Sequence, residues 1–295
     1  MDFGGRDVSI AAVAVLKEAV LREYEAPVAG SGEKGSTRYG KASSDEEPAA
    51  QGCEPIRKDS TAHGPDDLRS FGRRRGRKAT AHQRNLLDDL LPRVMLDPQM
   101  LSSVGVHDAA TLAALCGAAG EDVWLEIGFG GGEHLIWQAR HNPRIAMIGS
   151  EPFEDGVVKV LAAIETGGLN HVRLVPDDVR PLLRALPQAS LSRVFILFPD
   201  PWPKRRHRKR RLIGSAFLAE LARVMRPGAQ LRFATDIGDY ARTALLALDA
   251  NASFEWIARR PADWRERPAD WPLTRYEEKA VREGRRCYYF QFCRR

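Results

Sequence analysis

The sequence predicts an α/β fold: a doubly wound, mostly parallel sheet with an antiparallel strand at its C-terminal end. Three observations lead there. From about Trp124 onward, short apolar runs alternate with longer stretches of helical spacing, the pattern of successive βαβ units. The first run opens into a glycine-rich turn, Gly128-Phe129-Gly130-Gly131-Gly132, that leads straight into a helical stretch. The last apolar segment, Cys287–Cys293, is dense in aromatics and has no helix after it, so it must join the sheet without a crossover.

Taken in order, Val123–Ile127 is a short apolar strand, followed by the glycine turn and a helix over Glu133–His141. Ile145–Gly149 is the second strand, and Phe153–Glu165 has helical spacing. Val172–Val175 is the third, with a short helix near Pro181–Leu186. Val194–Phe198 is the fourth, leading through a long basic loop to the helix Ser215–Met225. Arg226-Pro227-Gly228 reads as a turn, Gln230–Thr235 as the fifth strand and Tyr240–Leu248 as a helix. In the final strand Tyr288, Phe290 and Phe292 share one face.

The first 70 residues differ in character from the rest. They carry nine Lys/Arg against thirteen Asp/Glu, a balance of −4, whereas residues 71–295 carry 36 against 26, or +10. Ile10–Tyr24 has the spacing of a short amphipathic helix. Residues 26–70, rich in Gly, Ser, Pro, Glu and Lys, have too few large apolar side chains to offset the entropy of ordering, so a disordered leader is expected. A basic globular part, 71–295, points to a polyanionic partner. Cys53, Cys116, Cys287 and Cys293 have neither zinc-ligand nor disulfide-framework spacing, so no metal is expected. No apolar run is long enough to span a bilayer, and Val8–Val20 lacks the basic flank of a signal peptide. A cytoplasmic protein is expected, and the oligomeric state is left open between monomer and homodimer.

Acidic residues close three successive strands: Glu126 ahead of the glycines, Glu151 after the second strand, and Asp177-Asp178 after the third. Glu133 follows the glycines directly. Carboxylates so placed are poor company for a dinucleotide pyrophosphate, which argues against a nicotinamide dehydrogenase. S-adenosylmethionine carries a sulfonium, an ammonium group and ribose hydroxyls and no phosphate, and it suits such neighbours. Glu151 is placed for the ribose hydroxyls and Asp177-Asp178 for the adenine amino group.

The fourth strand ends in Phe198-Pro199-Asp200-Pro201-Trp202-Pro203, and Lys204–Arg211 adds seven Lys/Arg and His207. Three prolines stiffen a turn at the sheet edge where open α/β sheets bind ligands. An acid beside an aromatic ring suits a planar base, and the cations form a phosphate-binding strip.

Phe198-Pro199-Asp200-Pro201-Trp202-Pro203-Lys204, with Arg206-His207, Lys209-Arg210-Arg211 and Glu126-Ile127-Gly128-Phe129-Gly130, resembles the bacterial tRNA (guanine-N7-)-methyltransferases. Ala234-Thr235-Asp236, Thr274-Arg275-Tyr276-Glu277 and the basic lead-in Arg74–Gln83 fit as well, so the resemblance covers roughly residues 71–295. It implies a Rossmann-like methyltransferase fold and methyl transfer from S-adenosylmethionine to a guanine N7 in tRNA, the variable-loop guanine at tRNA position 46. It implies that Glu126, Gly128, Gly130, Glu151, Asp178 and Asp200 line the cofactor and active site, with Asp200 catalytic. Lys204, Asp236, Thr274, Arg275, Tyr276 and Glu277 would contact substrate, and Arg205, Arg206, Arg208, Lys209, Arg210 and Arg211 the RNA phosphates. Ser150 stands where an apolar residue is more usual, and the leader is not a general feature of the family. Another base N-methyltransferase, or a non-catalytic RNA-binding protein with a relic cofactor fold, remain as alternatives.

Overall fold

The computed structural model describes residues 79–295, together with Glu18, Ala19, Arg22, Arg74 and Gly76. The expected leader and its helix lie outside the described residues, apart from Glu18, Ala19 and Arg22, which are helical.

Three short helical pieces come first: α1 (Ala81–Asn85), a π-helical turn Leu86–Leu90, and α2 (Leu91–Val94). After α3 (Ala109–Leu115) the alternation begins: β1 (Val123–Ile127), α4 (Glu133–His141), β2 (Ala146–Ser150), α5 (Glu154–Gly167), β3 (Val172–Val175), α6 (Val179–Ala185) and β4 (Leu191–Leu197). Then come α7 (Ser215–Val224), β5 (Met225–Thr235), α8 (Gly238–Asp249), β6 (Phe254–Trp256), α9 (Ala262–Arg265), α10 (Arg275–Arg282) and β7 (Tyr288–Arg294). The strands form one sheet in the order β3-β2-β1-β4-β5-β7-β6. β1 to β5 are parallel, and β7 pairs antiparallel with β5 on one side and β6 on the other. The strand order reverses between β1 and β4, which opens a crevice at their carboxyl ends.

β1 and β2 are buried along their whole length because helices cover both faces of the sheet. The main core lies on one face, where Leu125, Val194, Leu231, Leu218 and Leu245 are all fully buried. Phe290 belongs to the same core and stacks parallel to Phe233 at 6.2 Å. The alternation of β7 sends Tyr289 to the other face, where it packs with Trp271.

The antiparallel C-terminal strand is as the sequence predicts. Other details differ. Arg226–Gly228 lies inside β5 rather than ahead of it: Met225 pairs with Leu191 and Gln230 with Arg193, and the surplus residues bulge out at Gly228, whose φ is +82°. β4 begins at Leu191, earlier than the apolar run suggests, because Leu191 closes that pairing. β6 and α10 were not anticipated.

Two glycines set the approach of α4 and α5 to the crevice. Gly132, at φ +79°, starts α4, and a Cβ there would stand 2.2 Å from Val160 Cγ2. A Cβ on Gly156 would stand 2.0 Å from the Gly130 carbonyl oxygen, which is backbone and cannot swing away. Gly156→Ala should therefore push α5 off the glycine turn and lower stability by about 1–3 kcal/mol. Denaturant unfolding checks this, and an unchanged midpoint would show that the turn yields freely.

Candidate active site

The glycine turn is pinned from below. Gly128 N–H donates to the Ser150 carbonyl at 2.7 Å, and Gly130 N–H donates to Glu151 Oε2 at 2.8 Å. The other Glu151 oxygen accepts from Phe153 N–H at 2.9 Å. Glu151 is nearly buried, and burial holds its carboxyl above the usual glutamate range despite those two donors; the Asp200 charge raises it further and Arg275 opposes the rise. Glu151, Asp200 and Arg275 thus share one electrostatic neighbourhood at the mouth of the crevice. The turn offers no open phosphate cradle, because its Gly130 amide is already spent on a carboxylate and Glu133 stands at the first turn of α4.

Glu126 borders a narrow cavity with Gly128, Phe198, Thr274 and Tyr276. It is 2% exposed and bonded to His134. Asp178 caps α6 by accepting from Arg180 N–H at 2.8 Å, and its other oxygen pairs with the Arg180 guanidinium at 2.5 Å. Its neighbour Asp177 accepts from Arg74 at 2.6 Å. The unusual Ser150 has a local purpose: its hydroxyl donates to the Asp177 carbonyl at 2.9 Å and ties the end of β2 to the end of β3.

Asp200 stands exposed just beyond β4, yet desolvation by the surrounding protein holds its carboxyl above the usual aspartate range. The loop that carries it is strained on both sides. Phe198 has φ +51° and Trp202 φ +41°, left-handed values that non-glycine residues rarely adopt and that cost about 1–3 kcal/mol each. Trp202 is partly buried, edge-on to His207 at 5.9 Å and beneath the Arg210 guanidinium at 5.0 Å. It therefore packs the loop against the 3₁₀ turn Arg205–Arg210.

The basic strip is smaller than the sequence suggests. Lys204, Arg205, Arg206 and Lys209 are exposed, whereas Arg208 pairs with Asp239 at 3.0 Å while keeping 44% of its side chain exposed. Partial desolvation and the charges of Arg210, Arg206 and Lys204 hold His207 below the usual imidazole value. Arg211 is a correction. Its side chain is 4% exposed, and it donates to the Pro201 carbonyl at 2.9 Å, to Thr243 at 2.8 Å and to Asp239 at 2.5 Å. Facing inward, it anchors the proline loop to α8 and has no reach to a phosphate. Arg211→Ala would leave Asp239 to Arg208 alone and the Pro201 carbonyl without its donor, and should cost about 1–3 kcal/mol of stability. Arg206→Ala, on the exposed strip, should change stability by less than about 0.5 kcal/mol. Equal losses in thermal unfolding would contradict this division.

Asp236, after β5, accepts from Arg285 at 2.7 Å. The C-terminal motif divides. Thr274 is buried and caps α10 by accepting from Glu277 N–H. Glu277, expected to meet substrate, is 5% exposed and bonded internally by Tyr289 at 2.7 Å and Arg267 at 3.1 Å. Arg275 and Tyr276 face the crevice: Arg275 lies 3.6 Å from Glu133, and Tyr276 covers Gly130, where a Cβ would meet its ring at 2.9 Å. His134, Gln138, Asp239 and Trp271 carry no motif in the sequence, although His134 and Gln138, one helical turn apart on the inward face of α4, are a visible signal. Among the described residues no cluster of His, Cys, Asp and Glu could hold a metal, and no helix is long and apolar enough to cross a membrane.

A doubly wound sheet with carboxylates at three strand ends and a glycine turn that shuns phosphate defines an α/β methyltransferase, and the family described as "Putative methyltransferase" matches residues 121–290. The chain is 46% identical over 230 residues to the tRNA (guanine-N(7)-)-methyltransferase of Rhodospirillum rubrum, covering 78% of this chain and 89% of that protein. It is 48% identical over 224 residues to that of Ruegeria pomeroyi, covering 76% and 93%. The chain belongs to the tRNA (guanine-N(7)-)-methyltransferase family. Among solved structures, the 16S rRNA methyltransferase KamB matches with a TM-score of 0.46 at 18% identity, covering 63% of this chain and 92% of that one.

Proposed function

We propose that this protein transfers the methyl group of S-adenosylmethionine to N7 of a guanine in tRNA, by resemblance the variable-loop guanine at tRNA position 46, and that it acts in the cytoplasm. The single observation that carries the cofactor assignment is the Gly130–Glu151 bond, which fills the turn with a carboxylate where a dinucleotide would need a free amide. When bound, S-adenosylmethionine supplies an electrophilic methyl on a cationic sulfur.

Glu151 keeps lone pairs for the ribose hydroxyls, Glu126 offers a carboxylate to the ammonium group, and Asp178 lies at the adenine end. Gly128 and Gly130 let the backbone come close. Guanine N7 has an in-plane lone pair, so an N–C bond forms as the C–S bond breaks and no proton need leave first. The protein's tasks are alignment and charge stabilisation. Positive charge arrives on the purine ring, and Asp200 answers it through the N1–H and exocyclic amino group. Trp202 holds the loop in place. Lys204, Arg205, Arg206 and Lys209 grip phosphates, with Arg208 and Arg210 at the margin of the strip. Asp236, Arg275 and Tyr276 border the base.

Incubating the protein with methyl-labelled S-adenosylmethionine and bulk tRNA, then digesting to nucleosides, tests this reading. Label in 7-methylguanosine is the expected result. Label in another nucleoside would indicate a different base methyltransferase, and no label a binding protein.

A further inference from the structure

Beneath the glycine turn a buried polar chain leads away from Glu126 through His134 and Gln138, two residues with no part in the proposed chemistry. Glu126 and His134 are each 2% exposed and Gln138 1%. A carboxylate that deep needs a hydrogen-bonding partner. It has one in His134, whose Nδ1 lies 2.7 Å from Glu126 Oε2.

The far end of the chain decides where the imidazole proton sits. Asn142 Nδ2 donates to Gln138 Oε1 at 3.1 Å, which orients the Gln138 amide. Gln138 Nε2 then donates one hydrogen to the Asp270 carbonyl at 2.8 Å and directs the other at His134 Nε2, 3.1 Å away. His134 Nε2 is therefore an acceptor, which leaves Nδ1–H as the donor to Glu126. The ring is held edge-on by Phe195 at 4.6 Å and Trp271 at 5.8 Å. Glu126 Oε1 has no hydrogen bond among the described residues, and Glu126 borders the cavity beneath Tyr276.

We infer that His134 is a positioning residue for the cofactor: as the neutral Nδ1–H tautomer it holds Glu126 Oε2 and leaves Oε1 for the ligand. The chain roots this arrangement at Asp270, whose carboxylate is clasped at 2.7 Å by Arg232 of strand β5. His134 thereby ties the cofactor end of β1 to the segment that leads into Thr274–Glu277. The inference rests on the assignment of Glu126 to the cofactor.

Isothermal titration of the full chain with S-adenosylmethionine tests it in four variants: His134→Phe, His134→Asn, Glu126→Gln and the Phe/Gln double variant. His134→Phe keeps the aromatic packing and loses the donor, and should weaken binding roughly tenfold to a hundredfold with kcat at saturation retained. His134→Asn keeps an N–H near the Nδ1 position and should stay within about threefold of wild type. Once Glu126 is glutamine, adding His134→Phe should cost less than about twofold more. Wild-type affinity in His134→Phe, or its full loss repeated on top of Glu126→Gln, would overturn the inference. Glu126→Gln binding as tightly as wild type would overturn the cofactor assignment as well, which separates the two failures. Nitrogen-15 spectra of wild-type His134 give a readout independent of variant folding: a proton on Nδ1 is expected, and a proton on Nε2 would contradict it.

Discussion

Replacing Asp200 by asparagine is expected to slow methyl transfer by about a hundredfold to a thousandfold while shifting S-adenosylmethionine affinity by less than about threefold. The reasoning follows the charge. Before transfer the positive charge sits on sulfur; afterwards it is delocalised over the purine, where the N1–H and exocyclic amino group become stronger donors. A fixed carboxylate is worth more in that second state, so its loss appears in the rate and not in cofactor binding. The Arg211 bond to the Pro201 carbonyl and the packing of Trp202 hold the carboxylate in place beforehand, against the strain at Phe198 and Trp202. Single-turnover assays with saturating cofactor and tRNA measure the effect, and equal rates would remove Asp200 from the chemistry.

The raised Asp200 carboxyl adds a pH signature. Only the ionised form stabilises the transferred charge, so the rate should fall on acidification at a pH above the usual aspartate range. The asparagine variant should lose that part of the fall and keep only what the raised Glu151 carboxyl contributes. For stability the sign is reversed: the folded state binds the proton more tightly than the unfolded chain, so the contribution of Asp200 declines as pH rises from its unfolded to its folded value.

Changing Arg205, Arg206 and Lys209 together to glutamine is expected to lower the slope of log affinity for tRNA against log salt by about two to three units. These three are exposed and have no ion pair among the described residues, whereas Arg208, Arg210 and Arg211 are engaged with Asp239, Trp202 and the loop itself. Fluorescence anisotropy with tRNA over a salt series reads the slope. An unchanged slope would place the phosphate contacts elsewhere.

The alternation of strands and helices is legible because parallel strands buried on both faces need apolar runs, as in Val194–Leu197. The aromatics of β7 gave away their face by period-two spacing. β6 was not legible: Phe254–Trp256 is three residues long and exists only because β7 offers it an edge. The helix α10 has a readable start, since Thr274-Arg275-Tyr276-Glu277 has the form of a helix cap as well as of the family's motif. The acids at the strand ends were found by position, but their partners were not. That Glu151 bonds Gly130, or that Asp178 caps α6, depends on side-chain direction across the crevice. The strip shows the same limit. The seven cations of Lys204–Arg211 look alike in sequence, and only the packing of the loop against α8 turns Arg211 inward.

A transcript of a substrate tRNA in which the variable-loop guanine is replaced by 7-deazaguanine tests the central claim most directly. The substitution replaces the acceptor nitrogen with a carbon and keeps the N1–H and amino group that Asp200 would contact. Incubated with labelled S-adenosylmethionine, this transcript should bind the protein as the normal one does and take up no methyl group. Methyl incorporation at the normal rate would contradict transfer to that nitrogen.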